Sequence, residues 1–493
     1  MSDQFLFPWI SSGVLIGLAG AAIVWRMPEA ETARRWAVIA LTAVLALLLA
    51  ASYEASLVES ARLIEPWIGS WFTVDALNEI PLPLFAALAL GVTILAPKRK
   101  VTPRWLSGIL ILTAATLAAY AANNLLVLTL AWAATIAPFL SKRFFEIKRE
   151  KETPSWSKVV LSLSTACVLI GAVLLAAGTP QSGWSATLSL SLPRTGTGTM
   201  LRCAFIFLIV AVFLRKGLLP AHSWLLAGFE RGPLLPLALL VNGHLGAFLI
   251  ARVALPVLPD VAHEALPLLG DLGLLTAVYT ALIALAERQP RRLLALLSIS
   301  QASFILVGLE SNNADGITGA LVHWQVVAVA STILISVFTC LEARLGTPID
   351  GQRFLGLAAS APRLAVFFVV GGLALVGLPL TLGFPAEDLL LHGTFTTHPR
   401  LGFVLPIVTA LNAFTVIRLF ALLFLGRPGT EVRGLADALP RERWVLTAAL
   451  LFLLIGGIAP ATLVRAPAAA AERLSALGSE LRTNASQILS RGK

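Results

Sequence analysis

Long apolar segments recur along the whole of this 493-residue chain. About fourteen stretches approach or exceed roughly 18 residues with few charges, the length that crosses a bilayer as a helix. Only 13% of the residues are charged and 57% are hydrophobic, whereas soluble domains carry about 25% charged residues. Backbone polar groups in lipid must be satisfied within the segment, which favours helices. The sequence therefore predicts an all-α polytopic membrane protein with about fourteen transmembrane helices.

The predicted spans lie at residues 8–25, 36–53, 80–96, 105–121, 124–140, 158–177, 200–219, 234–251, 266–286, 292–309, 317–341, 364–384, 402–425 and 444–460.

Basic residues are concentrated in alternate loops between these spans. Lysine and arginine gather in loops 26–35, 97–104, 142–152, 287–292, 342–353 and 427–443, and the intervening loops are acidic or neutral. Because cytoplasmic loops carry the excess of Lys and Arg, this alternation predicts a multi-pass protein of the cell (inner) membrane with both termini outside. The same rule accounts for the net charge of +10 without a nucleic-acid partner.

The sequence offers no catalytic constellation. It contains no nucleotide-binding loop, no glycine-rich phosphate cradle and no Cys/His metal spacing. The cysteines Cys167, Cys203 and Cys340 all lie in apolar runs, which indicates packing residues rather than a disulfide framework. We therefore expect no catalytic site, cofactor or metal in this chain, and we look for its function among polar residues inside the spans.

Few ionisable side chains fall at membrane depth, where each costs from a few to more than about ten kcal/mol and usually faces a bundle interior or a water path. They are Arg215, Lys216, His222, His244, His323, Glu387, Asp388, His392 and Arg418.

Two groups of these residues stand beside prolines. Lys216 and His222 flank Pro220, and Glu387 follows two prolines in segment 377–393. Prolines interrupt helices and free backbone groups that order water or ions, so we predict that helices 7 and 12 are broken.

The breaks are about 160 residues apart, which suggests two inverted five-helix repeats. We assign these units to residues 105–251 and 266–425. Residues 1–104 then hold three further spans with their loops, and residues 426–493 hold the last span and a short amphipathic helix.

Several segments resemble the antiporter-like subunits of respiratory complex I and of Mrp cation/proton antiporters. The first is RKGLLPAHSWL (215–225), followed by ERGPLLPLALLVNGHLGAFLIAR (230–252). Further matches are RRLLALLSISQ (291–301), GLAASAPRLA (356–365) and GLPLTLGFPAEDLLLHGTF (377–395). The resemblance covers roughly residues 70–425 and implies a path for protons, or for monovalent cations and protons, along a central polar axis.

The chain departs from the family pattern at several positions. Ala133 replaces a fifth-span glutamate, and Arg215 stands at the position of the seventh-span lysine. The eighth-span histidine position falls near Leu239, while Val327 and Ser331 replace a histidine and a lysine of the eleventh span. The chain keeps two other residues of the pattern, the eleventh-span histidine as His323 and the twelfth-span acid as Glu387.

Arg215 and Lys216 have different chemical capacities. A guanidinium stays protonated in proteins, so Arg215 can gate protons or hold a carboxylate but cannot relay them. Lys216 can titrate and is the candidate relay group. The alternative is that the pair extends to the cytoplasmic face and anchors the helix.

Each remaining residue has a functional and a structural interpretation. His222, His244 and His323 are relay candidates because imidazole titrates near neutral pH, or they brace the helices that carry them. Glu387 is the candidate terminal proton-exchange residue. We expect Asp388 and His392 at the membrane edge and Arg418 in a structural ion pair.

The predicted function is a proton-conducting or cation/proton-conducting subunit coupled to a partner. One candidate partner is a redox module of the complex I or membrane-hydrogenase type. The other is a zinc protein similar to carbonic anhydrase, as in two-part inorganic-carbon transporters whose membrane subunit resembles this family. The departures listed above favour the second, carbon-uptake type. The alternative is a non-conducting scaffold that docks a soluble partner on its basic face.

Overall fold

The computed structural model describes residues 5–57, 62–65, 71–145, 155–178, 187–194, 196–429, 432 and 434–491. It is built from helices and one pair of short strands. The helices are α1 (Trp9–Arg26), α2 (Ala30–Leu57), α3 (Pro81–Leu95), α4 (Pro103–Ala121), α5 (Leu125–Leu140), α6 (Lys142–Phe145), α7 (Ser155–Gly178), α8 (Thr199–Lys216), α9 (Ser223–Arg231), α10 (Leu234–Asn242), α11 (Leu245–Leu249), α12 (Leu255–Val257), α13 (Pro259–Ala286), α14 (Pro290–Glu310), α15 (Ala314–Leu345), α16 (Pro362–Leu375), α17 (Gly383–Thr397), α18 (Pro399–Phe424), α19 (Pro440–Ile458) and α20 (Ala461–Arg491). Strands β1 (Leu63–Ile64) and β2 (Thr73–Val74) pair antiparallel, with Leu63 opposite Val74.

Every predicted span contains helix, and the breaks described below divide some of the spans, so the all-α polytopic fold is confirmed. Within the described ranges, nine helical segments are long and apolar enough to cross a membrane, and α19 with α20 makes a tenth if that bent pair is one span. Helices α3, α5 and α16 are apolar but shorter, and α8 carries three cations in 18 residues. The exact count of fourteen spans stays a prediction.

Helix α15 is the central element of the bundle. It packs against α3, α10, α14, α16, α17, α19 and α20. Nearly all of the apolar segment of α15 is buried, and the apolar segment of α14 is buried completely. Most of the apolar segments of α1 and α2 is exposed, as suits helices that face lipid. Polar residues on α14 and α15 therefore lie in the interior of the bundle.

Both predicted helix breaks are present. Helix α8 ends at Lys216, and Gly217 takes φ +67° before α9 begins at Ser223. Helix α16 ends at Leu375, and the turn before α17 includes Gly377 at φ +73°. In the left-handed region a side chain is strained and glycine is not. The sequence thus places a proline and a permissive glycine at each interruption.

A third break, which we did not predict, interrupts the eighth predicted span. Helix α10 ends at Asn242, and His244 takes a left-handed φ of +42° before α11 begins. A π-helix over Ile250–Ala254 follows. Left-handed residues other than glycine, and single π-helical turns, occur often at functional sites.

The N-terminal end of α1 is closed by a distant carboxylate. Pro8 precedes the helix and provides no side-chain cap. Glu65, next to β1, instead accepts hydrogen bonds from the backbone N–H groups of Ile10 and Ser11 and from the Ser11 hydroxyl. This carboxylate satisfies donors that a helix start leaves free.

The C-terminal segment differs from the prediction of a short helix. Helix α20 has 31 residues and turns 72° away from α19. The alanine-rich run after Pro467 explains the length, because alanine has the highest helix propensity. Ala470, Ala471 and Leu474 are buried, and α20 packs against α15.

Candidate functional site

Arg215 is held at the end of α8 by two neutral groups of α5. Its Nη2 donates a hydrogen bond of 2.6 Å to the Thr135 hydroxyl, and its guanidinium carbon lies 5.1 Å from the centre of the Trp132 ring. Only 4% of the residue is exposed, so it does not extend to the surface. A hydroxyl and an indole face of α5, the helix that carries Ala133, are thus the partners of Arg215.

The Lys216 side chain is buried, and its amine forms no hydrogen bond. The residue is 6% exposed, and Nζ has no hydrogen-bond partner among the described residues. Its aliphatic stem lies against α11, where a Cβ added to Gly246 would stand 2.9 Å from Lys216 Cγ. An ammonium in this position is costly unless water or a proton acceptor reaches it. Glycine at 246 provides the space that the lysine stem occupies.

His244 and His323 lie in the same interior region. The Lys216 stem packs against Gly246, two residues after His244, and the His244 ring meets Trp324, the neighbour of His323 on α15. His244 is at the third helix break, its Nε2 has no partner, and its ring meets Trp324 edge to face at 6.1 Å. The structure therefore brings together three of the six residues predicted for the ion path.

His323 is fully buried on α15. Its Nε2 lies 3.2 Å from the Gln301 carbonyl oxygen, and its ring stacks on Phe304 with centroids 5.7 Å apart. The Nδ1 atom and both polar atoms of the Gln301 side chain have no partner in the structure. Buried polar groups are ordinarily satisfied, so these atoms are the ones along α14 and α15 that ordered water would satisfy.

Asn242 is a polar residue that the sequence interpretation missed. Its Nδ2 donates to the Thr332 hydroxyl at 2.9 Å, and its Oδ1 accepts from Ser331 at 2.9 Å. A neutral hydroxyl–amide pair therefore joins α10 to α15 at Ser331, which the motif resemblance assigns to a lysine position of the family. An asparagine inside an apolar span was the available signal.

A second polar link extends towards α18. Asn412 donates to the Ser300 hydroxyl at 2.9 Å, and Ser300 donates to the Ala277 carbonyl. Neutral side chains thus connect α13, α14 and α18 in the interior.

Glu387 lies at the second predicted break. A Cβ on Gly377 would stand 2.6 Å from Glu387 Oε2, and Oε1 is buried without a partner. Among the described residues, no interaction joins Glu387 to Lys216 or the two buried histidines. Glycine at 377 leaves room for the carboxylate.

The other predicted residues lie apart from this interior region. His222 is half-buried at the start of α9, with its ring 5.3 Å from that of Tyr279. Asp388 is exposed, and His392 lies 3.7 Å from Asp315 at the surface.

The predicted ion pair of Arg418 is wrong. Its Nη1 donates to the carbonyl of Ala284 at 3.0 Å and to that of Leu285, and its Nη2 donates to that of Glu287. The last carbonyls of a helix have no intrahelical partners, and Arg418 supplies donors to those at the end of α13.

An aromatic cluster connects His244 to a buried ion pair. Tyr120 donates to the Gly243 carbonyl and packs against Phe248 and Trp324. The Arg252 guanidinium lies over Phe248 and binds both oxygens of Asp75, at 2.5 and 3.0 Å. We did not predict this pair, although Arg252 ends one of the matched motifs.

Asp75 lies in the loop after β2, outside the spans. Burial works to raise the pKa of its carboxyl, but the guanidinium groups of Arg252 and Arg62 outweigh burial and hold that pKa below its ordinary value. The carboxylate thus stays ionised and fixes the loop to the π-helical turn.

The chain matches a family model. Residues 122–412 match the model described as NADH:quinone oxidoreductase/Mrp antiporter, TM. The matched region covers more than half of the sequence and includes Arg215, Lys216, His244, His323 and Glu387. The chain belongs to this family. The resemblance to the antiporter-like superfamily that the motifs indicated is thereby confirmed.

Curated relatives agree with this membership. NADH-quinone oxidoreductase subunit 13 of Thermus thermophilus is 28% identical over 402 residues, which cover 80% of this chain and 83% of the relative. NADH-quinone oxidoreductase subunit M of Rickettsia typhi is 27% identical over 256 residues, covering 51% and 52%. The chain thus spans about half the length of the Rickettsia relative that it matches.

Solved structures share the fold. A chain of respiratory complex I from Thermus thermophilus with bound NADH superposes with a TM-score of 0.80 at 24% identity, covering 95% of this chain and 99% of that one. A chain of the Mrp complex from Dietzia sp. DQ12-45-1b gives a TM-score of 0.80 at 18% identity, with 95% and 96% covered.

Proposed function

We propose that this chain is a proton-conducting subunit of a multi-subunit membrane complex. The observation that carries the proposal is the burial of Lys216, His244 and His323 in one interior region. Among the described residues, Lys216 Nζ, His244 Nε2 and His323 Nδ1 have no hydrogen-bond partner. Membership of a family whose model names quinone oxidoreductases and Mrp antiporters supports it. A monovalent cation exchanged for protons is the other ion that fits.

The chemistry follows from what each group can do. The Lys216 amine and the two imidazoles can each take up and release a proton, and helix breaks beside Lys216 and His244 free backbone groups for water. Arg215 keeps its charge and cannot relay protons. In this proposal Arg215 is a positioning residue that sets the field at Lys216.

The partner is the finer part of the proposal. We favour a soluble zinc protein similar to carbonic anhydrase, so that proton flux energises the uptake of inorganic carbon as CO2 or bicarbonate. The support lies in the departures at Ala133, Arg215 and Ser331, where a standard complex I subunit keeps titratable residues. The second candidate is a redox complex, which the names of the NADH-quinone oxidoreductase relatives favour.

Conduction is tested by Glu387→Gln in the purified complex, reconstituted in vesicles that contain a pH-sensitive dye. The matched control is Asp388→Asn, which neutralises the adjacent exposed acid. We expect Glu387→Gln to slow proton flux by about tenfold or more while the control conducts normally. Equal flux in both variants would reject Glu387 as an exchange residue, and a wild type without flux would favour the scaffold.

The partner is tested by purifying the intact complex from its membrane. Zinc in a co-purifying soluble subunit, with accumulation of labelled inorganic carbon that depends on this chain, is the expected result. Iron–sulfur or flavin subunits, with quinone reduction that depends on the chain, would instead establish the redox complex.

A further inference from the structure

Two cavities follow one another along α15 and α19, one beside α3 and the other beside the basic segment 97–99 that follows α3. The one nearer the basic loops, called the upper cavity, has a volume of about 680 Å³. Its lining includes the cations Lys98, Arg99, Arg344 and Arg441 and, among the described residues, one carboxylate, Glu442. The lower one, further into the membrane, has a volume of about 330 Å³ and an almost wholly apolar lining from α2, α3, α15 and α19.

The lining residues place the two cavities one after the other along one face of α19, and we call this pair of cavities the groove. On α19 the residues are Arg441 above and Val445, Ala448 and Phe452 below, which recur at helical spacing on one face. From Arg441 to Phe452 the helix rises about 16 Å at 1.5 Å per residue. Half of a hydrocarbon core is about 15 Å thick, so the groove has the length of one leaflet.

Cations outnumber carboxylates among the described residues that line the upper cavity. Glu442 is engaged by Arg344 at 2.5 Å, and Lys98 lies 3.3 Å from the exposed Glu31. Arg99 is exposed, and Arg441 Nε is buried without a hydrogen-bond partner. Arg99 and Arg441 thus remain for an anionic ligand.

The surroundings identify the level of the membrane surface. Trp444 is 78% exposed beside Arg441, as expected of an aromatic residue at the headgroup level. Further along α19, Leu451 and Ile455 are 48% and 54% exposed, as suits a helix that faces acyl chains. The charged end of the groove therefore lies among headgroups and the apolar end among lipid tails.

From this geometry we infer a binding site for one anionic phospholipid of the basic-side leaflet, with its phosphate at Arg99 and Arg441 and one acyl chain along Val445, Ala448 and Phe452. Basic pockets between transmembrane helices on the cytoplasmic side are suited to such headgroups. A lipid fits better than a protein helix because the charges occupy one end of the groove and the rest is apolar.

Native mass spectrometry of the delipidated complex, titrated with phosphatidylglycerol or phosphatidylcholine of identical chains, tests the site. We expect phosphatidylglycerol to bind about tenfold more tightly. The double variant Arg99→Gln/Arg441→Gln should lose that preference. The control double variant Arg288→Gln/Arg427→Gln removes the same charge from exposed positions outside the groove and should keep it.

A second variant tests the acyl end without changing charge. Ala448→Phe fills the apolar groove from an exposed position and should weaken both lipids several-fold, whereas Leu451→Phe on the same helix should not. Equal binding of the two lipids by the wild type, or loss of preference in the control double variant, would overturn the site. Competition by soluble glycerol 3-phosphate as strong as that by the lipid would overturn it in favour of a free-anion site.

Discussion

Arg215 and Lys216 are neighbours in sequence with different partners. Among the described residues, Arg215 Nη2 has the Thr135 hydroxyl and the guanidinium faces Trp132, although its Nε and Nη1 have no partner, whereas the Lys216 amine has none at all. A permanent charge needs fixed partners in the interior, and a group that exchanges protons needs water instead. By the motif resemblance, Arg215, which stays protonated, stands at the family's lysine position. The adjacent Lys216 carries the amine that can titrate.

Thr135→Val removes the hydroxyl that accepts from Arg215 with little change of shape. We expect a loss of about 1–3 kcal/mol, because a charged donor is left with fewer partners. Thermal melting of the detergent-solubilised protein measures it as a fall in Tm. The control is Thr165→Val, whose hydroxyl bonds only within its own helix. A Tm equal to that of the control would mean that this hydrogen bond does not hold Arg215.

Sequence reasoning found the ionisable residues but not their neutral partners. Lys216, His244 and His323 stand out because charge is rare in apolar spans. Asn242 and Thr135 acquire significance only when α10 meets α15 and α5 meets α8. Arg418 was misassigned for the same reason, since nothing local indicates that its partners are carbonyls of α13.

At the scale of elements, proline marked two helix breaks and failed to mark the third. Pro220 and Pro379 stand at the predicted breaks, but no proline separates α10 from α11. That break is accompanied by tertiary contacts, since Tyr120 donates to the Gly243 carbonyl and the Lys216 stem fills the space beside Gly246. Such contacts between distant segments are invisible to local propensity.

Gly246→Ala tests the packing between α8 and α11. Its Cβ would meet Lys216 Cγ at 2.9 Å and Val212 Cγ1 at 3.2 Å, so the lysine must shift. We expect proton flux to fall by about threefold or more with the complex still folded. Gly13→Ala, whose Cβ would meet only one atom at 3.9 Å, is the control. Unchanged flux in Gly246→Ala would show that the position of Lys216 is unimportant.

At the scale of the whole molecule, hydropathy predicted where the membrane helices lie, because bilayer thickness sets the length of an apolar segment that crosses it. Every predicted span contains helix. Hydropathy did not predict the length of α20, because the high helix propensity of its alanines, rather than an apolar segment, favours that helix. The five-helix units and the orientation remain predictions that rest on loop charge and on the position of the breaks.

Orientation is tested by single cysteines in a variant without Cys167, Cys203 and Cys340. With both termini outside, a membrane-impermeant maleimide should label Asp315→Cys on intact spheroplasts and Arg288→Cys only after permeabilisation. Both positions are exposed in the structure, so access depends on the side of the membrane. The reverse pattern would place the basic loops outside and would refute the prediction.

Proton flux through vesicles containing the complex with Lys216→Met or Lys216→Arg tests the central proposal most directly. His392→Gln, at an exposed histidine, serves as the control. If Lys216 relays protons, both lysine variants lose about tenfold or more of the flux, because methionine cannot titrate and arginine stays protonated. Wild-type flux in either lysine variant would contradict the proposed path.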